Sequence, residues 1–76
     1  MLEKSVKVVL HIDETLKSEE IAQLESTLSK ASGIVDAHMN QRKQHLMLVD
    51  YQPDEVSSYQ VLQQVSQQGV HAELIA

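Results

Sequence analysis

The sequence predicts an α+β fold: a four-stranded antiparallel sheet with two helices on one of its faces. Three observations predict it. Four short segments alternate apolar and polar residues, as half-buried strands do. Two segments between them repeat apolar residues at helical spacing, each with its own start and stop signals. Their order along the chain is βαββαβ.

The first strand is expected over Ser5 to Ile12, with Val6, Val8, Leu10 and Ile12 on one face and Lys7, Val9 and His11 on the other. Ser18 is a candidate cap for the first helix, and Glu19 and Glu20 suit the positive end of its dipole. Ile21, Leu24, Leu28 and Ala31 form its apolar stripe, and Gly33 is expected to end it in the usual C-terminal role. Ile34 to Asn40 and His45 to Tyr51 read as two strands joined by a polar turn of Gln41, Arg42, Lys43 and Gln44, with Pro53 stopping the second. Ser57 followed three residues later by Gln60 is a capping-box pattern. Val61, Leu62 and Val65 supply that helix with a buried stripe, and Gly69 ends it. Val70 to Ile75 alternates again as the last strand.

So short a chain buries two helical stripes and four half-apolar strands as a ferredoxin-like two-layer sandwich. Right-handed crossovers place the first and third strands in the centre and leave the sheet face away from the helices open. The 76 residues have room for one core only, so the expected domain is 1–76. Because there is no cysteine, ordinary packing must hold it together, and thiol redox chemistry is excluded. No apolar run approaches the roughly 20 residues that span a bilayer, and Met1 to Ile12 lacks the uncharged core of a signal peptide. The expected compartment is the cytoplasm, without membrane insertion. Eleven acidic against six basic side chains give a net charge of −5, which repels phosphate backbones and argues against nucleic acid as a partner.

The spacing of particular residues narrows the reading. Leu24, Glu25 and Leu28 precede Gly33-Ile34 as in the pattern Ile-Glu-x-x-Leu-x-x-x-x-Gly-Val; Ala37, Met39 and Asn40 follow where small or apolar residues and Asn occur. Val49-Asp50-Tyr51-Gln52-Pro53 is similar to Val-x-Tyr-Asp-Pro, and Gly69 with Ala72 is similar to Gly-Tyr-x-Ala. In this joint register the chain resembles the heavy-metal-associated domains, the family of copper-chaperone-like modules, from about Val8 to Leu74 without a gap. The resemblance implies the ferredoxin-like fold and a metal site of the form Met-Thr-Cys-x-x-Cys. That motif falls on Thr15, Leu16, Lys17, Ser18, Glu19 and Glu20, so Lys17 and Glu20 stand where the family has its two thiolates. The chain is thus a degenerate member of the pattern. Lys17 and Glu20, three apart at a helix start, are read as a solvated surface pair.

Imidazole is the remaining nitrogen ligand, and it suits zinc, nickel and copper(II). His11 near the end of the first strand and His71 near the start of the last are expected side by side on the open face with Asp13 close by, an alternative metal site made of histidine and carboxylate. His45 is expected to point toward the helix layer by alternation, and His38 lies farther across the sheet. No enzyme signature is present: there is no nucleophile elbow or phosphate-binding glycine loop, and an 8.5 kDa domain offers little volume for a pocket. The acid pairs sit at loops and helix starts, where dipole and solubility explain them.

The expected function is therefore a non-catalytic binding or interaction module with no cofactor. A metal-binding or transfer protein using histidine and carboxylate in place of cysteine is the alternative. By alternation Val9, Leu46, Leu48 and Ile75 face away from the helices and form the expected contact surface, for a protein partner or for self-association.

Overall fold

The computed structural model describes residues 5–75; residues 1–4 and 76, and the readings that fall on them, lie outside the described residues. Six elements follow in order: β1 (Val6–Ile12), α1 (Ser18–Ser29), β2 (Ile34–Met39), β3 (Leu46–Tyr51), α2 (Ser58–Ser66) and β4 (Ala72–Leu74). The sheet order is β2-β3-β1-β4, with all neighbours antiparallel. This is the ferredoxin-like arrangement, with β1 and β3 central as the crossovers require.

The core lies between sheet and helices. Val8, Leu10 and Ile12 of β1 and Met47 and Val49 of β3 meet Leu24 and Leu28 of α1 and Val61 and Val65 of α2. Full burial of each such side chain contributes about 1.5–3 kcal/mol, so the period-two face of the strands and the helical stripes supply the driving force together. On β2 a bulge between Ile34 and Asp36 shifts the register by one residue. The extra residue lets both Ile34 and Ala37 face the core, and it leaves Val35 exposed.

Several local details differ from the sequence-based expectation. The cap of α1 is Lys17 and not Ser18: the Glu20 carboxylate accepts the Lys17 backbone N–H at 2.8 Å. A side chain at the third helical position thus reaches back to the cap, half of a capping box. In α2 both halves form as expected, with Gln60 N–H donating to Ser57 Oγ at 3.1 Å and Ser57 N–H donating to Gln60 Oε1 at 2.8 Å. Gly33 does not end α1, whose last residue is Ser29; it turns the chain into β2 at φ +84°. A β-carbon there would come within 2.9 Å of Val56 Cγ1, so close packing as well as backbone geometry requires glycine. Strands β2, β3 and β4 are each one to three residues shorter than read from alternation, because fraying ends lose ladder bonds before they lose pattern.

Glu25 has a structural role that its spacing alone does not reveal. Its carboxylate, partly buried on α1, accepts the Met39 backbone N–H at 2.7 Å. Because β2 is an edge strand, this bond satisfies a donor that would otherwise face outward, and it ties helix to sheet.

Candidate functional site

The loop from β1 to α1 is where the resemblance implies a soft-ion site. Lys17 is engaged there through its backbone: its N–H bonds to Glu20 and its carbonyl accepts the Ile21 N–H at 2.9 Å. No ion pair between the Lys17 ammonium and the Glu20 carboxylate occurs among the described residues. An ammonium and a carboxylate already capping a helix do not fit copper(I), which prefers sulfur. Beside this loop lies a groove of about 460 Å³ lined by Glu14, Leu16, Glu20, Gln23 and Val70, more volume than so small a domain was expected to offer.

The four histidines share one feature: each holds its Nδ1 against an oxygen. His38 faces Asp36 at 3.1 Å, His11 faces Asp13 at 3.2 Å, His71 faces Glu14 at 2.6 Å, and His45 faces the Ile12 carbonyl at 2.6 Å. His71 is therefore occupied with Glu14, across from the His11–Asp13 pair with which it was expected to join. Among the described residues no three His, Asp or Glu side chains gather in a way that could hold an ion. His45 departs from its expected direction. Its ring stacks on His11, with centroids 5.7 Å apart and planes 16° from parallel. It precedes the first residue of β3, so strand alternation does not govern it.

His71 and Glu14 join the loop before α1 to the start of β4, and the His71 backbone N–H also donates to Glu14 at 2.8 Å. The hydrogen bond to Glu14, then its charge, raises the His71 pKa above the ordinary 6.5. The His71 ring and then its backbone N–H lower Glu14 below the ordinary 4.5. The raised histidine contributes stability fully below pH 6.5 and loses it as pH rises through its folded pKa; the lowered carboxylate contributes above 4.5 and loses it as pH falls. Thermal denaturation should thus show the parent's advantage over His71→Ala greatest between these two values and shrinking as pH rises above 6.5. A gap independent of pH would mean that the pair carries no such linkage.

The open face is organised in rows by the strand register. Val9 is the Cα partner of Leu48, which is itself paired with His38 across β2. Ile75 joins the row through its N–H bond to the Val9 carbonyl at 3.0 Å, so His38, Leu48, Val9 and Ile75 cross all four strand positions. Leu46 stands opposite His11, and His11 opposite Glu73. Val9, Leu46 and Leu48 are half-buried and Ile75 is exposed. One row over, Asp36 lies opposite Asp50, and Lys7 pairs with Asp50 at 4.0 Å. Tyr59 is exposed on α2, remote from these rows.

No protein-family model matches the chain, and no curated protein matches it by sequence. Solved structures do match it. The N-terminal soluble domains of Bacillus subtilis CopA share 21% identity and a TM-score of 0.81 over 93% of this chain, which spans about half (48%) of that region. A copper-binding domain from HMA7, a P-type ATPase, shares 18% identity and a TM-score of 0.82, covering 92% of this chain and 93% of that one. The copper chaperone of Enterococcus hirae in its apo form shares 18% identity and a TM-score of 0.77, covering 90% of this chain and 98% of the chaperone. The fold that this likeness shows is the ferredoxin-like arrangement that these copper-binding domains share. This chain has no cysteine, and Lys17 and Glu20 stand where the resemblance in its sequence implies thiolates. Among the described residues no helix is long and apolar enough to cross a membrane.

Proposed function

We propose that this chain, as a single domain over 1–76, is a non-catalytic cytoplasmic interaction module that binds a partner protein through the open face of its sheet. The observation that carries the reading is the row of Leu48, Val9 and Ile75, with Leu46 beside it, on strands whose other face is already filled by the core. Covering these side chains would each contribute up to about 1.5–3 kcal/mol, less for the half-buried ones, whereas the charged loop at Lys17 and Glu20 costs free energy to desolvate. Copper(I) is not part of this reading, because the cysteine pair that the resemblance implies for a soft ion is absent from this chain.

Charge favours one kind of partner. Asp36, Asp50, Asp13 and Glu73 border the apolar row, and Lys7 is the basic residue facing them. A second copy would bring the same acids and another net −5 against them, while a protein with an apolar centre ringed by lysine or arginine complements the face. The test compares the parent, Leu48→Lys and Tyr59→Lys as immobilised baits and in sedimentation at pH 7.5. Leu48→Lys should weaken any association at least about tenfold, whether with a partner or a second copy, and Tyr59→Lys should leave it intact. Loss with Tyr59→Lys alone would move the interface to the helix side. A parent that stays monomeric and retains no partner would reject the proposal.

A further inference from the structure

We propose that the free margin of β1 beyond the end of β4 is a slot for an extended segment of a partner protein, which adds there as a strand antiparallel to β1. The backbone register defines the slot. Ile12 N–H donates to the His45 carbonyl at 2.7 Å on the β3 side, so even-numbered residues of β1 turn their N–H and C=O groups toward β3. Odd-numbered residues turn theirs the other way: the Val9 carbonyl accepts the Ile75 N–H at 3.0 Å, and Asp13 N–H donates to the His71 carbonyl at 2.9 Å. β3 lines β1 from Val6 to His11, whereas β4 pairs only with Leu10, His11 and Ile12 and reaches Val9 through the Ile75 bond. Among the described residues, nothing pairs with the backbone of Lys7 or Ser5 on the outer side, and both are exposed. A sheet margin in that state is a template for a further strand.

The surroundings decide what fits. The outer margin of β2 is blunted by its bulge and by the Glu25 carboxylate on the Met39 N–H, whereas the pairing of β1 with β3 runs without a shift from Val6 to His11. Lysine often guards a sheet margin, but the Lys7 ammonium leans toward Asp50 on the β3 side, at 4.0 Å. On the helix side Val6 is 40% and Leu74 37% exposed, although Val8 and Leu10 between them are buried. A residue opposite Val6 would stand on that same side, because paired residues of neighbouring strands share a face. The occupant is therefore a proline-free segment of alternating pattern, with an apolar residue opposite Val6 and main-chain groups bonded to Ser5 and Lys7 on either side of it. Basic residues at its ends complement the net charge of −5 and the Glu73 carboxylate of β4. A second copy does not fit this way: with Lys7 opposite its mate, Ser5 of each copy falls opposite Val9 of the other, a place that Ile75 already holds. The slot is a margin of the sheet, apart from the face that carries Leu48, and it does not rest on that reading.

The probe is a synthetic peptide of alternating valine and threonine with a lysine at each end, acetylated and amidated, titrated into isotope-labelled protein and followed by amide resonances. In the free protein the Lys7 amide should exchange with solvent at least about tenfold faster than that of Val8, which pairs with Val49 of β3. The peptide should shift the Ser5 and Lys7 amides saturably and slow exchange at Lys7 at least about tenfold. The same peptide with every inner backbone nitrogen methylated keeps its side chains and loses its donors, so it should bind at least about tenfold more weakly. Val6→Lys, with folding checked by circular dichroism, should weaken binding, and Val35→Lys on the far margin should leave it unchanged. Equal binding of the methylated peptide, equal loss with Val35→Lys, or no saturable shift at Lys7 would each overturn the proposal. The comparison of parent with Leu48→Lys reads the open face separately, so either idea can fail alone.

Discussion

The double replacement Lys17→Cys with Glu20→Cys should turn a chain that retains no copper(I) into one that binds it stoichiometrically. The two positions are the cap and the third residue of α1, on the same turn at the helix start. Thiols placed there meet unpaired backbone N–H groups and the positive end of the dipole, conditions that bring a cysteine pKa from about 8.5 into the range of roughly 3.5–7.5. Two thiolates then converge on one soft ion. The cost is the Glu20 bond to the Lys17 N–H, worth about 0.5–2 kcal/mol as a helix cap. The measurement is copper retained per chain after competition with a soluble copper(I) chelator. The parent should retain none, each single variant little, and the double variant one ion. A double variant that is folded and retains no copper would show that the loop is placed one or more residues away from the register that the resemblance implies.

A large contrast in stability should separate two neighbouring residues of β1. Leu10 is fully buried between the sheet and the helices, and Leu10→Ala should cost about 2–5 kcal/mol through lost transfer energy and the cavity left behind. For 76 residues at roughly 0.05–0.15 kcal/mol each, total stability is about 4–11 kcal/mol, so this one change can remove much of it. Val9, the next residue, points to the open face, and Val9→Ala should cost under about 1 kcal/mol. Urea denaturation of the isolated protein reads both. Equal losses would mean that the open face is covered in solution, and the comparison repeated with a bound partner should then raise the cost at Val9 while leaving that at Leu10 unchanged.

Much of the fold was legible because its signals are local. Alternation in β1 and β3, the stripes of Leu24 with Leu28 and Val61 with Val65, and the Ser57–Gln60 box all act within a few residues, and each appears where the spacing puts it. The signals failed where one particular side-chain contact overrode residue propensity. Ser18 is a better cap than Lys17 by propensity, yet the reach of Glu20 back to the Lys17 N–H sets the start of α1 one residue earlier. Gly33 reads as a helix stop, yet beside its positive φ the need for glycine comes from close packing on Val56, 23 positions along the chain. The link from Glu25 to Met39 could have been suspected only from a glutamate standing beside an apolar stripe, a weak signal by itself.

The sequence by itself determined the architecture, the lack of any thiolate and the split of β1 and β3 into a core face and an outer one, because periodicity, composition and residue identity require no knowledge of distant neighbours. Only the tertiary structure decided how the histidines are grouped. His11 and His45 are 34 positions apart, and His71 and Glu14 are 57 apart, so neither grouping leaves a trace in spacing. Strand register brings β1 beside both β3 and β4 and so offers His11 two possible companions. The choice between them turns on individual acceptors. Glu14 takes the ring of His71, and the Ile12 carbonyl holds His45, freed from strand alternation just before β3, against His11.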